Sequence, residues 1–413
     1  MAGSADCGGA LEGIVVLDIA GGFGNYCGKL FADLGADVIL VEPPGGAATR
    51  RMAPHRSGRN DAESSLVYQY QNTSKRGIVL DLDGAQGQDA FKQLVRHAHL
   101  VIEGERPGVM RGRGLDYPGL RQIRPSLVMA SLTAFGQQGP YADWLAQDIV
   151  GLALGGMLYL GGYTDTEPMA VFGDQAIAAT NVFAAVAALA ALYDAEASGQ
   201  GQHIDVSMQE CVVMGMENAV QFYDLEGTIR KRTAGQQRLA GTGVFRCKDG
   251  YVYLMAGGIG ANRFWSVTTQ WLIDEGVQGA QALTDPCWTD QDFLSTDKAK
   301  AQFNGVFSGY ALARTKRELQ DMGRARRIPI APIRDASDLE HDAQLAHRGY
   351  FVDAAASDGA PLRMPGAPYK MAATPWRLAR PAPRLGQHTV EVCREHGIEI
   401  PGGAVEHGYG ALS

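Results

Sequence analysis

The amino-acid sequence predicts an α/β fold: a Rossmann-like large domain with a mainly parallel sheet, plus a smaller α+β domain. Three observations carry this reading. Short apolar strands alternate with amphipathic helices from Ile14 to Leu132, the pattern of a parallel sheet covered on both faces. A Gly-rich turn follows the first strand. A helix from Ala176 to Ala197, apolar on nearly every face, belongs in a core.

In order, Ile14-Val15-Val16-Leu17 is a short strand and Gly21-Gly22-Phe23-Gly24 the turn after it. Tyr26 to Leu34 has helical apolar spacing, Gly35 stops it, and Asp37 to Glu42 is a second strand. This βαβ unit imitates a dinucleotide fingerprint: Gly22-x-Gly24-x-x-x-Gly28, with the acidic Glu42 about 20 positions on. Asp18 to Gly21 separates strand from glycines, and Pro43-Pro44-Gly45-Gly46 follows Glu42 at once, so the loop need not hold NAD. Pro43 to Ser64 reads as a surface loop, whose Arg50, Arg51, Arg56 and Arg59 either bind phosphate or are simply solvated.

Further strands are expected at Gly77 to Leu82, Leu100 to Glu103 and Leu127 to Leu132, with a helix from Asp89 to His97 and a short one opened by Arg106-Pro107-Gly108. A second buried helix runs from Asp148 to about Met157, and Gly161-Gly162-Tyr163 turns the chain back toward Asp174. After the strand His203 to Val206, Ser207-x-x-Glu210 is a capping box, so Ser207 is read as a cap and not a nucleophile. No nucleophile-elbow glycine pattern occurs.

Residues 1–217 thus form the N-terminal part of the large domain. The polar stretch 218–235 reads as a linker, 236–345 as the small domain, and 346–413 as a return segment completing the large one. The small domain contains a hairpin from Gly243 to Leu254 turning at Lys248-Asp249-Gly250, a helix from Arg314 to Ala325 and a strand from Ile328 to Ile333. Tyr350-Phe351-Val352 can add a strand, and the Pro-rich run from Pro361 to Pro383 is mostly extended.

Composition narrows the functional classes. With 413 residues, 46% hydrophobic and 20% charged, the chain can build a large core in two or three domains. A net charge of −8 argues against general affinity for nucleic acid or anionic membranes. Cys7, Cys27, Cys211, Cys247, Cys287 and Cys393 are scattered without metal-ligand spacing, which fits reduced thiols, a cytoplasmic setting and no metal site. The N-terminus lacks the pattern of a signal peptide.

Chemistry converges on Val171-Phe172-Gly173-Asp174-Gln175. Asp174 sits where the core helix begins, and the N–H groups and dipole there favour negative charge. Alone, such an Asp reads as an N-cap. A thioester-binding neighbourhood would make it a reactive carboxylate.

Elsewhere the chain carries Leu17-Asp18, Ala32-Asp33-Leu34-Gly35-Ala36-Asp37, Val41-Glu42-Pro43-Pro44-Gly45-Gly46, Lys75-Arg76, Leu80-Asp81-Leu82 and Arg106-Pro107-Gly108-Val109-Met110. Gly114-Leu115-Asp116-Tyr117, Phe135-Gly136-Gln137, Gly139-Pro140, Gly173-Asp174, Gly199-x-Gly201-Gln202-x-Ile204-Asp205-Val206-Ser207 and Leu385-Gly386-Gln387-His388-Thr389 complete the series. In this order the segments resemble the class III CoA-transferases, of formyl-CoA transferase and carnitine CoA-transferase type, a family that also contains the α-methylacyl-CoA racemases. The resemblance implies an interlinked homodimer of ring-shaped protomers and no permanently bound cofactor. Its substrates would be an acyl-CoA and a small carboxylic acid, with Asp174 as the nucleophile. It places CoA contacts at Gly22, Phe23, Leu80, Asp81, Gly104, Glu105, Arg106, Gln147 and Asp148, with Arg111 or Arg113 on a phosphate. Gly104-Glu105 departs from the usual Asn-aromatic pair. Gly241-Thr242-Gly243 would be either an oxyanion loop or a hairpin entrance. A racemase needs a second base, and its Gly-His-Asp triplet here reads Ala146-Gln147-Asp148, so transferase is the stronger expectation. A non-catalytic CoA- or nucleotide-binding protein and an NAD oxidoreductase are the other readings.

Overall fold

The apolar runs of the N-terminal half become strands β1 (Val15–Ile19), β2 (Asp37–Glu42), β3 (Arg76–Val79), β4 (Leu100–Glu103), β5 (Val128–Thr133) and β6 (His203–Ser207). All pair parallel, in the order β3-β2-β1-β4-β5-β6. Around them run α1 (Gly21–Ala32), α2 (Leu66–Gln71), α3 (Ala85–Val95), α4 (Val109–Gly112), α5 (Tyr117–Ile123), α6 (Asp148–Leu154), α7 (Met157–Leu160) and α8 (Gln175–Ser198). Helices α9 (Met208–Met216) and α10 (Asn218–Glu226) follow the last strand, so a helix occupies the start of the stretch read as a linker. This is a computed structural model; it describes residues 8–399 except 20, 57, 60, 217 and 258–261.

The strand order reverses between β1 and β4. In such sheets the ligand crevice opens beyond the carboxyl ends of those two strands. The glycines after β1, expected as a turn, form the first turn of α1 instead, and Gly21 takes a φ of 58° as the chain leaves the strand. Gly28 has a packing reason: a Cβ there would lie 2.2 Å from Asp18 Oδ2. Asp18 forms a fully buried ion pair with Lys75, at 2.7 Å, and Lys75 also donates to Asn72 and to the Asn25 carbonyl. Two segments of the motif series are thereby joined inside the core.

Glu42, placed where a ribose-binding acid would stand, is buried against Arg50 (2.7 Å) and accepts from the Ala47 N–H (3.0 Å). Arg50 also reaches the Tyr68 hydroxyl and the Pro383 carbonyl. It is therefore neither a solvated loop residue nor a phosphate ligand. A buried charge persists when ion pairs and hydrogen bonds replace its water. Arg56 and Arg59 pair with Asp358, which their charge holds well below the usual carboxylate range.

Two compact units are present. The larger comprises Met1–Leu158, Val171–Gln221 and His347–Ser413. The second comprises Tyr159–Ala170 and Phe222–Ala346. It contains the antiparallel sheet β7 (Thr242–Cys247), β8 (Gly250–Met255) and β9 (Ile330–Ile333). Helices α11 (Asn262–Asp274), α12 (Gln291–Ser295), α13 (Asp297–Leu312) and α14 (Lys316–Arg326) surround an aromatic core in which Trp265 stacks on Trp288 at 4.9 Å. Short helices α15 (Ala336–Glu340) and α16 (Ala343–His347) lead out.

The return segment forms the hairpin β10 (Phe351–Ala355) and β11 (Pro361–Pro365), then α17 (Thr389–Glu395). Its job is to cover the outer edge of β3. The Gly77 N–H donates to His388 Nδ1 (3.0 Å), the Val79 N–H to Thr389 Oγ1 (3.1 Å), and Arg76 pairs with Glu391 and Glu395. These bonds satisfy an otherwise open strand edge.

Helix α8 is long and apolar enough to cross a membrane. It is a core helix here: Ala176, Thr180, Asn181, Ala184, Ala188, Ala191 and Ala195 make a small-residue face that packs on α1, β5 and α9.

Candidate active site

Asp174 occupies the N-cap position of α8 with φ −87° and ψ 69°, after Gly173 at φ 82°. Its carbonyl accepts from the Ala178 N–H (2.9 Å) and starts the helical ladder. Among the described residues its carboxylate accepts no cap hydrogen bond, and the residue is exposed. The plain N-cap expectation therefore holds for its backbone and not for its side chain.

The cap comes from elsewhere. Asp148, the first residue of α6 and buried, accepts from the Ile177 N–H of α8 at 2.9 Å. Burial pushes the Asp148 carboxyl upward and the neighbouring charge of Asp174 adds to this, while the N–H groups of Ile177, Ala176 and Gln175 pull it down.

An apolar cluster locks these pieces together. Leu152, Ala176, Met208 and Val212 form its centre, with Phe23, Ala134, Ala146 and Ile177 against it. Asn181, an amide in the middle of the apolar helix, bridges the Phe23 carbonyl (2.6 Å) and the Cys27 N–H (2.8 Å), tying the first turns of α1 to α8. Of the sequence-predicted residues, Phe23, Asp148 and Asp174 thus gather in one neighbourhood, with Gly22 beside Phe23 and Gln147 beside Asp148 in the chain.

A second group lies at the carboxyl ends of β3 and β4. Leu80 is buried and donates its N–H to the Glu42 carbonyl, whereas Asp81 is exposed and accepts from the Asp83 N–H (3.1 Å). Arg113 joins Asp83 (2.8 Å) to Glu105 (2.9 Å), so its charge is already balanced by two carboxylates. Arg106 is exposed and touches the Asp143 carbonyl, and Arg111 is exposed with Asp116 3.7 Å away. Gly104 leads into this segment from Glu103, a residue the sequence reading passed over. Burial pushes the Glu103 carboxyl up to about 7, against the hydrogen bonds from Ser131 and the Glu105 N–H, with Glu105 and Asp205 adding like charge. The signal was present: an acid closing an otherwise apolar strand.

Gly241 and Gly243 belong to the second unit. The Gly241 N–H donates to Gln237 Oε1 (2.8 Å), and Gly243 faces Leu254 across the hairpin with the Gln237 backbone close above it.

Residues 11–389 match CoA-transferase family III. The chain belongs to that family. The chain is 38% identical to the succinyl-CoA:(R)-benzylsuccinate CoA-transferase subunit BbsE of Thauera aromatica, over 92% of this chain and 93% of that one. It is 32% identical to the succinate–glutarate CoA-transferase of Agrobacterium fabrum, over 93% and 95%. A crystal structure of a CAIB/BAIF family protein from Brucella suis superposes with a TM-score of 0.82 at 26% identity, over 94% of this chain and all of that one. The protein is a class III CoA-transferase, and acyl-CoA is its class of substrate.

Proposed function

We propose that the enzyme moves CoA from succinyl-CoA to a second dicarboxylic acid, with Asp174 as the covalent carrier. The observation that carries this is a carboxylate at a helix N-terminus whose capping duty another residue performs. One Asp174 oxygen attacks the thioester carbonyl, the C–S bond breaks, and CoA leaves as thiolate, giving a mixed anhydride. The thiolate then attacks the Asp174 carbonyl, releases succinate and forms an aspartyl-CoA thioester. The acceptor carboxylate attacks that thioester, expels CoA as thiolate and forms a second mixed anhydride with Asp174; the thiolate then attacks the acceptor acyl carbonyl, giving the new acyl-CoA and releasing the Asp174 carboxylate. Succinyl donors and dicarboxylate acceptors recur in the names of the relatives, which supports this substrate class.

CoA is placed along the carboxyl edge of the sheet, past the first turn of α1 at Gly22 and Phe23 and the segments at Asp81 and Gly104. Arg106 and Arg111 are the exposed cations suited to its phosphates. Gln147 has no useful pKa, so α-proton exchange lacks its second base.

The test is a panel of dicarboxylates against succinyl-CoA, with mass spectrometry of the protein during turnover. Transfer without α-epimerisation and a CoA adduct on Asp174 are expected, and both are lost in Asp174→Asn. Undiminished turnover in that variant would point to another nucleophile, and no turnover in either protein to a non-catalytic binding protein.

The assembly proposed is a homodimer. Val182, Val186, Leu189 and Tyr193 recur along α8 at helical spacing and are all exposed, an apolar stripe suited to a second chain. Light scattering should give a dimer, and Val186→Glu should shift it toward monomer.

A further inference from the structure

We propose that Asp148 is a positioning residue for the transfer reaction: by capping α8 from the neighbouring helix, it keeps the Asp174 carboxylate directed at substrate. This rests on the reading of Asp174 as nucleophile. An Asp at an N-cap normally folds back onto the N–H groups two or three residues on, a bond worth about 1 kcal/mol. That bond would occupy one carboxylate oxygen and turn the pair toward the helix. In this protein the N–H three residues on is that of Ile177, and it is held by Asp148 at 2.9 Å. Asp148 is fixed for the task, buried at the start of α6, with Leu152 and Ala176 in the apolar cluster linking α6 to α8. Two carboxylates side by side repel one another, which further disfavours Asp174 rotating inward.

The experiment compares Asp148→Ala, Asp148→Glu and Asp148→Asn in the full-length enzyme. It reads steady-state kinetics and the burst rate of CoA-adduct formation on Asp174. Asn keeps the accepting oxygen in place, Glu keeps the charge but moves the oxygen by one methylene, and Ala removes both. The Asn variant is expected to keep kcat within about 3-fold. The Ala and Glu variants should lose roughly 10- to 100-fold in kcat and burst rate, the scale of a small misplacement of a reacting group. A rise in KM for acyl-CoA with burst rates unchanged would instead make Asp148 the CoA contact that the resemblance implies, and would overturn the positioning role. Should Ala not fold, the contrast between Asn and Glu answers the same question. Wild-type burst rates in Ala and Glu, or equal impairment of Asn and Glu, would overturn the proposal. Asp174→Asn run alongside separates the two failures. If it is inactive while every Asp148 variant behaves as wild type, only this inference falls; if it turns over normally, the nucleophile assignment falls first.

Discussion

Glu103 closes β4 at the point where the strand order reverses, and its carboxylate accepts from the Glu105 N–H at 2.8 Å. Burial moves its pKa from 4.5 to about 7. Within that interval the folded protein keeps a proton that the unfolded chain has released. Stability must then fall as pH rises through the window and level off above it. At about 1.4 kcal/mol per pH unit, the interval from 4.5 to about 7 amounts to about 3 kcal/mol. Glu103→Gln keeps the shape and stays neutral at every pH. Relative to wild type, the variant should therefore gain about 3 kcal/mol between pH 4.5 and 7 and gain nothing further above pH 7. Urea unfolding at a series of pH values measures this directly. A difference between the two proteins that stays flat across the window would refute the reasoning, because a pKa equal in both states produces no slope.

Other substitutions probe other parts of the frame. Lys75→Met strands the buried Asp18 carboxylate and should cost about 3–5 kcal/mol in denaturant unfolding. Gly28→Ala forces a methyl onto the same ion pair and should cost about 1–3 kcal/mol, seen as a lowered Tm. Arg232 donates to the carbonyls of Tyr159, Tyr163 and Thr166 at once, so Arg232→Met should make the 161–166 loop several-fold more sensitive to limited proteolysis while the rest of the chain keeps its resistance.

Local pattern and motif order made much of this protein readable in advance. The bounds of β2 and β4 follow from apolar runs between glycine and polar stops, and the start of the core helix at Asp174 from the Gly-Asp that precedes an alanine-rich stretch. The ordered motifs were enough to point to the family. Only the folded chain shows that Asp148 caps the helix of Asp174, that Arg50 is buried against Glu42 and not spread on a loop, and that Gly28 makes room for Asp18 and Lys75. Each of these depends on groups far apart in the chain meeting at hydrogen-bond distance. Periodicity and spacing specify which face of an element is apolar, but the partner of a buried charge is chosen by what the other elements bring to that face.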